Sequence, residues 1–205
     1  NNQNIYNSVE KLKNDFEEKL RIADVYENLK KTANGEIVSD NSKITFERYI
    51  MGSYFEQVLY YANLRFSKMT GGRYEIVRGE SRDKRISAGL EISVRDNFNN
   101  KERDISSLSG GESFQASLAL ALGLSDIIQQ RNGGIRLDSI FIDEGFGSLD
   151  NDSLASAIET LNDLTGNGNR LVGIISHISE LKNSIGNKIE VVGTKSGSSI
   201  KIITD

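Results

Sequence analysis

The chain has 205 residues and a formal net charge of −4, from 25 lysines and arginines against 29 aspartates and glutamates. It contains no cysteine and a single histidine, which excludes disulfide bonds, thiol catalysis, cysteine-based metal sites and any site that needs two histidines. The sequence has neither a signal-peptide pattern nor an apolar run of the roughly 20 residues that span a bilayer, so we expect a cytoplasmic globular protein without a membrane partner.

The first half of the sequence predicts two helices and a hairpin. Apolar residues recur at three- and four-residue steps over residues 5–30, which predicts a helix with a narrow apolar stripe. Spacing alone leaves two interpretations of this helix open, a coiled coil and a simple amphipathic helix. Further on we expect a short strand near residues 44–46, a helix over residues 49–69, and a hairpin formed by residues 73–77 and 89–94.

The second half alternates strands with helices, which predicts a parallel α/β arrangement. Consecutive apolar residues favour buried strands at residues 135–142 and 171–175. The remaining expected elements are helices over residues 108–130, 152–164 and 179–185, and a terminal hairpin of residues 188–192 with 199–203.

A Ser-Gly-Gly-Glu sequence opens the helix expected at residues 108–130. Ser109 and Glu112 have the spacing of a capping box, in which each side chain bonds the other residue's backbone amide. That interpretation leaves Gly110 and Gly111 unexplained, because each glycine destabilises a helix by about 1 kcal/mol relative to alanine. A bare backbone at a helix start admits an anion to the amide groups, so we favour a phosphate-binding site over a cap alone.

Three further features follow in order along the chain. Asp143 and Glu144 come directly after an apolar strand, where ligands of open α/β sheets bind. A carboxylate there is suited to Mg²⁺, and its neighbour to orienting a water for attack on a phosphate. Asp150 closes a Gly-Ser-Leu-Asp loop and, taken alone, is an N-cap; His177 lies at the next strand end and, taken alone, is a structural histidine.

In combination these features resemble the ATP-binding-cassette ATPases. Residues 108–112 resemble their signature motif, residues 137–144 their Walker B motif, residues 147–150 their D-loop, and His177 their switch histidine. Residues 55–78, with Ala62-Asn63 and Thr70-Gly71-Gly72-Arg73-Tyr74, resemble the C-terminal head of the SbcC-type proteins, which are related to the SMC proteins.

The resemblance implies a fold and a division of the chain. We expect the C-terminal lobe of an ABC-type ATPase head at residues 34–205, with a parallel sheet and flanking helices. Residues 1–33 would be the stub of a returning coiled coil, which favours that interpretation of the first helix.

The resemblance also implies roles for individual residues. ATP and Mg²⁺ would be the cofactors, with Asp143 as a metal ligand, and Glu144 and His177 as catalytic residues. Ser109, Gly110, Gly111, Glu112 and Asp150 would bind nucleotide at the junction with a second head.

One part of the family pattern is missing. The sequence has no G-x-x-x-x-G-K-[ST], and residues 193–196, Gly-Thr-Lys-Ser, fit a hairpin turn better than a phosphate loop. We therefore expect a separate Walker A lobe, on the same or another polypeptide, to complete the nucleotide site. The other partners that the resemblance implies are a second head, a SbcD-type nuclease subunit and double-stranded DNA.

Two other functions remain as alternatives. One is the ATPase lobe of another SMC-like or ABC-type protein, including a transporter cassette, although a transporter would carry Walker A upstream of the signature. The other is an SMC-like scaffold without hydrolysis, which the intact Asp143-Glu144 pair disfavours. The basic stretch of residues 65–85 is either a DNA contact or a solvated charged face, and we favour the latter.

Overall fold

The computed structural model describes residues 2–36, 44–79, 90–131, 137–168, 170–194 and 197–204. The helices in these ranges are α1 (Asn2–Ala33), α2 (Phe46–Met69), α3 (Gly110–Arg131), α4 (Asn151–Gly168) and α5 (Ser179–Ser184). The strands are β1 (Tyr74–Arg78), β2 (Ile92–Asp96), β3 (Lys101–Asp104), β4 (Ser139–Asp143), β5 (Leu171–Ile175), β6 (Lys188–Thr194) and β7 (Gly197–Ile203). No helix within these ranges combines the length and the apolarity needed to cross a bilayer.

The strands form three small sheets. β1, β2 and β3 form one sheet in that order, β4 pairs with β5, and β6 pairs with β7. The β4–β5 pair is parallel and the β6–β7 pair is antiparallel, as the alternation of elements and the terminal hairpin predicted. This mixture of strands and flanking helices confirms the α/β class.

The chain divides into two compact units. One comprises residues 1–57 and 77–94, and the other comprises residues 58–76 and 95–205. All the candidate site residues belong to the second unit. The predicted boundary between a coiled-coil stub at residues 1–33 and a lobe at residues 34–205 stays a prediction.

In the first unit, α1 is a 32-residue helix without a buried residue. Its large apolar side chains are between 47% and 69% exposed, with Leu12 at 68% and Phe16 at 64%. Charged side chains four residues apart form ion pairs on the surface of this helix, such as Lys19 with Asp15 at 3.0 Å. An apolar stripe that none of the described residues covers is typical of a helix that pairs with another helix.

The core of the second unit lies among α2, β1, α3 and α4. Phe66, Ile76, Leu122 and Phe146 are almost completely buried. Gln115, a buried polar residue near the start of α3, donates a hydrogen bond from Nε2 to the carbonyl oxygen of Met69 at 3.2 Å. This core holds the beginnings of α3 and α4 in place.

Two sequence predictions about strands were wrong. Residues 44–46 form no strand, because the side-chain oxygen of Thr45 accepts a hydrogen bond from the Arg48 amide at 3.3 Å and so caps α2. The strands β4 and β5 are not buried by the described residues: Phe141 is 72% exposed, Leu171 65% and Ile175 57%. Of the predicted first strand, residues 135 and 136 lie outside the described residues.

The exposed strand residues share one face of the β4–β5 sheet. The register pairs Ser139 with Leu171, Phe141 with Gly173, and Asp143 with Ile175. Parallel strands are ordinarily covered on both faces, so their composition is apolar on both. Here the described part of the chain leaves one apolar face open.

Candidate functional site

The start of α3 is held by the capping box that the Ser-Gly-Gly-Glu sequence predicted. The Ser109 amide donates to Oε2 of Glu112 at 2.9 Å, and the Glu112 amide donates more weakly to Oγ of Ser109 at 3.4 Å. Burial acts to raise the pKa of Glu112, but the hydrogen bonds from Ser109 and the Tyr74 hydroxyl outweigh it, so the pKa lies below its ordinary value. Glu112 is therefore an ionised acceptor at neutral pH.

The two glycines at this helix start have different neighbours. A Cβ on Gly111 would lie 2.9 Å from the carbonyl oxygen of Ser148, which is closer than real Cβ atoms come. A Cβ on Gly110 would meet only the Ser148 side chain, at an ordinary 3.4 Å. Close packing against the loop thus accounts for a glycine at position 111. Gly110 is exposed and is not required by this packing, so an anion site at Gly110 stays a prediction.

The Gly-Ser-Leu-Asp loop lies directly against this helix start. Ser148 donates a hydrogen bond to the carbonyl oxygen of Gly145 at 3.2 Å, and Asp150 accepts one from the Ser153 amide at 2.8 Å. Hydrogen bonds from Ser153 hold the pKa of the Asp150 carboxyl below its ordinary value. Asp150 is thus the N-cap of α4, as predicted for the residue taken alone. The residue is exposed, so a partner could reach its side chain.

We call residues 109–112 and 147–150 together the signature edge. Five of them border an open polar cleft of about 430 Å³, which Arg73, Tyr74 and Asp152 also line; the five are Ser109, Gly111, Glu112, Ser148 and Asp150. Basic and acidic groups both line the cleft, so its charge is mixed.

A second group of candidate residues lies at the carboxyl ends of β4 and β5, and we call this group with the two strands the strand edge. Asp143 is the last residue of β4 and is exposed, at the strand terminus where the sequence predicted it. Glu144 follows with φ 59°, a left-handed backbone that is unusual for a residue with a side chain. Its amide donates to the carbonyl oxygen of Ile175, the last residue of β5, at 2.9 Å.

Glu144 and His177 are in direct contact. Nδ1 of His177 lies 2.9 Å from Oε2 and 3.2 Å from Oε1 of Glu144. Both side chains are largely exposed, His177 at 79% and Glu144 at 51%. The sequence placed His177 beside the acidic pair's strand but could not show this contact, because it depends on the pairing of two strands that are distant in the chain.

The turn after Glu144 connects the two edges. Gly145 has φ 95°, which favours glycine, and a Cβ there would collide with the Phe114 ring. Phe114 of α3 packs on the buried Phe146 with ring centres 4.8 Å apart. One aromatic pair thus links the first turns of α3 to the residues that follow Glu144.

The residues of the strand edge fit a hard cation in the kind of atoms they offer. Asp143 and Glu144 supply carboxylate oxygens, which Mg²⁺ prefers. In the part of the chain that the structure describes, however, no group of three or more His, Asp or Glu residues could hold a metal ion by itself. Further ligands would have to come from a nucleotide, from water or from another lobe.

In the described part of the basic stretch, residues 65–79, the positive charges are offset by neighbouring carboxylates. Each of its four described cations is paired with a carboxylate. The pairs are Arg65–Asp126 at 2.7 Å, Lys68–Asp163 at 2.7 Å, Arg73–Asp96 at 3.3 Å and Arg78–Glu56 at 2.5 Å. Residues 80–89, with the other three basic side chains, lie outside the described residues.

Comparison with known proteins places these features in a family. Residues 80–163 match the family model described as SbcC/RAD50-like, Walker B motif. The chain is 49% identical over 173 residues, or 84% of its length, to the SbcC component of the SbcCD nuclease of Vibrio cholerae, and 47% identical over 195 residues, or 95%, to that of Staphylococcus epidermidis. It spans only 17% and 19% of the length of these two relatives.

The fold has solved counterparts among the SMC ATPases. A structure from work on their ATP-driven dimerization and DNA-stimulated activation matches 77% of this chain and 89% of its own, with a TM-score of 0.59 at 14% identity. These matches identify the chain as SbcC-type in sequence, with the fold of an SMC-like ATPase head.

Proposed function

We propose that this SbcC-type chain is the C-terminal half of an ATP-hydrolysing head in a DNA double-strand-break repair and nuclease complex. The observation that carries the proposal is the contact of Glu144 with His177, next to Asp143, at the carboxyl ends of two parallel strands. Ligands of such sheets bind at that edge, and the left-handed backbone of Glu144 is typical of a functional residue.

At the strand edge, the chain's own residues would position and activate water. Glu144 would accept a hydrogen bond from the attacking water and orient it towards the terminal phosphate of ATP. His177 would hold the Glu144 carboxylate in place and contact the same phosphate. Asp143 would help to hold Mg²⁺, which when bound neutralises charge on the phosphates.

At the signature edge, the same chain would serve a second nucleotide. Ser109, Gly110 and Gly111 would face the terminal phosphate of ATP bound to a second head, with amides at the start of α3 and the serine hydroxyl as donors. Glu112 would fix the geometry of Ser109, and Asp150 would contact the second head. Two heads would therefore enclose two nucleotides and separate after hydrolysis.

A lobe that carries Walker A would complete the head, on this or another polypeptide. Two exposed apolar surfaces support this step. One is the open face of β4 and β5. The other is a face of the terminal hairpin, where Ile189 pairs with Ile202 and Val191 with Ile200, each at least 67% exposed. Covering such surfaces stabilises a complex in proportion to the apolar area removed from water.

The remaining partners follow from the family. We propose that α1 pairs with a second coiled-coil helix and that a SbcD-type nuclease subunit docks on it near the head. Double-stranded DNA is the proposed substrate of the whole complex. The DNA would be contacted by residues other than the four basic side chains of residues 65–78, because each of those four is paired with a carboxylate.

The test is ATP turnover by this chain alone, by the Walker A lobe alone and by the two together. We expect turnover only from the mixture, rising when DNA and the nuclease subunit are added. A mixture whose turnover matches that of the Walker A lobe alone would contradict the proposal. Equal turnover by the chain alone would contradict the need for a second lobe.

A further inference from the structure

The backbone turn that carries Glu144 is held from two sides. On one side, the Glu144 amide donates to the carbonyl oxygen of Ile175 at 2.9 Å, which ties the turn to the end of β5. On the other side, the ring of Phe114 occupies the space where a side chain on Gly145 would begin. Apart from the two chain neighbours of Gly145, the three atoms nearest to that space all belong to Phe114. The ring therefore lies directly against the residue that follows Glu144.

The turn has a left-handed backbone at two consecutive residues. Glu144 has φ 59° and Gly145 has φ 95°. Glycine adopts such a conformation readily, but a residue with a side chain is strained in it and keeps it only where surrounding contacts hold the backbone. The conformation of Glu144 sets the direction in which its carboxylate leaves the chain. The aim of that carboxylate therefore depends on the contacts that fix the turn.

Phe114 is itself fixed by a buried partner. Its ring packs on Phe146 with centres 4.8 Å apart and ring planes at 59°, and Phe146 is only 1% exposed. Phe146 begins a short 3-10 helix, Phe146–Ser148, and the Ser148 hydroxyl donates back to the carbonyl oxygen of Gly145 at 3.2 Å. Aromatic pairs prefer particular arrangements of their rings, so this pair sets the position of α3 against the turn.

Core packing alone does not require an aromatic ring at position 114. The largest side chain of α3 that is almost completely buried is the aliphatic Leu122, at 1% exposure. Phe114, in contrast, is only partly buried and borders an open cleft of about 460 Å³ that Asp143 also borders. The ring thus packs on the residue after Glu144 and shares a cleft with the residue before it. Groups that must act with fixed geometry are held by such a second layer of contacts.

We propose that Phe114 is a positioning residue for Glu144, because its ring holds the left-handed turn at Gly145 and so the direction of the Glu144 carboxylate. This inference rests on the proposed function, since it takes Glu144 as the residue that orients the attacking water. Phe114 itself touches neither the nucleotide nor the water in this scheme. It belongs to α3, the helix that begins at the signature edge, so one helix serves both edges.

The test compares Phe114→Ala with Phe114→Leu in heads completed by the Walker A lobe. Alanine leaves the turn without its packing partner, so we expect kcat to fall by roughly tenfold or more, because a displaced catalytic group loses rate steeply. The affinity for ATP and the ATP-driven dimerisation should stay within about twofold, because both edges keep the side chains that contact nucleotide. Leucine keeps apolar bulk against Gly145 and should retain at least about a third of the wild-type kcat.

Ile127→Ala is the matched control. Ile127 is 6% exposed on the same helix, and it borders neither of the two clefts described above. We expect this variant to lower the urea midpoint of unfolding at least as far as Phe114→Ala, while kcat at a temperature where both are folded stays within about twofold of wild type. An equal fall of kcat in the two variants would show that Phe114 acts through stability alone and would overturn the inference.

A double variant shows whether Phe114 acts through Glu144. Phe114→Ala added to Glu144→Gln should lower turnover by less than about twofold further, because two residues that act in series do not have additive effects. A further loss of roughly tenfold would mean that Phe114 acts on another group. Weaker ATP-driven dimerisation of Phe114→Ala would assign the ring to the signature edge instead. Either result would overturn the inference.

Glu144→Gln alone separates this inference from the proposed function. If that variant turns over ATP at the wild-type rate, the proposed role of Glu144 is wrong, and the role of Phe114 is wrong with it. If Glu144→Gln loses turnover as expected but Phe114→Ala keeps the wild-type kcat, only the role of Phe114 is wrong.

Discussion

The signature edge and the strand edge differ in how far this chain completes them. At the signature edge two helices are capped by the chain's own side chains, and Gly111 packs on the loop that follows Phe146. At the strand edge the catalytic candidates, Glu144 and His177, follow the ends of two strands whose apolar face is open to solvent. The comparison indicates that one half of the proposed function is pre-formed here, whereas the other needs a second lobe.

The largest expected effect is that of Glu144→Gln at the strand edge. The amide keeps the size of the side chain but cannot act as a base, so we expect at least a roughly 100-fold loss of ATP turnover in completed heads. Dimerisation, which depends on the signature edge, should persist and become longer-lived. Turnover assays and light scattering with ATP measure the two, and faster turnover would contradict the assigned role.

Phe141→Ala tests whether the open face of the strand edge is an interface. We expect association with the Walker A lobe to weaken by about 2 kcal/mol, because a large aromatic side chain that is covered in the complex is removed. Unfolding of this chain alone should change by less than about 0.5 kcal/mol, because the residue is already exposed. Calorimetric titration with the lobe and urea unfolding give the two values.

The control for that variant is Phe98→Ala. Phe98 is 77% exposed and lies in the turn between β2 and β3, which belong to a different sheet from β4 and β5. It should leave the affinity for the lobe unchanged. Equal effects of the two variants would show that the strand face is not the interface.

A matched pair of glycines tests the packing of the signature edge. Gly111→Ala should lower the free energy of unfolding by about 2 kcal/mol, because its Cβ would press on the Ser148 carbonyl oxygen. Gly110→Ala should leave that free energy unchanged or slightly higher, because its Cβ would make only an ordinary contact with the Ser148 side chain and alanine favours helix. Weakened dimerisation by Gly110→Ala without loss of stability would support the phosphate site, and destabilisation by Gly110→Ala would contradict the assignment of the pair.

The smallest effect concerns pH and Glu112. Since its pKa is lowered on folding from an ordinary value near 4.5, Glu112 stabilises the fold above that pH and loses the contribution as pH falls through its folded-state pKa. Glu112→Gln should therefore flatten the acid end of the stability curve, by well under about 1 kcal/mol because the carboxylate is partly exposed. Urea unfolding between about pH 7 and pH 3 measures this, with Asp152→Asn as the control; an unchanged acid limb in Glu112→Gln would contradict the prediction.

Local patterns predicted most of the elements correctly. The helices and the terminal hairpin lie where apolar spacing and glycine turns indicated, with ends displaced by a few residues. The strand β3 escaped prediction because its four residues, Lys101–Asp104, are all charged and form a strand only through pairing with β2. Thr45 was overlooked as a cap because residues 44–46 also have strand-like composition.

Local patterns by themselves determined the helices, the order of the motifs and the chemical types of the site residues, since these depend on neighbours within a few positions. Only the tertiary structure decided which partners those residues have. Glu144 meets His177 because β4 and β5 pair in parallel, and Gly111 approaches the Ser148 carbonyl oxygen because the loop before α4 packs on the start of α3. Burial also depends on the whole assembly of elements, and the apolar composition of β4 and β5 therefore could not show that the described part of this chain leaves one of their faces open.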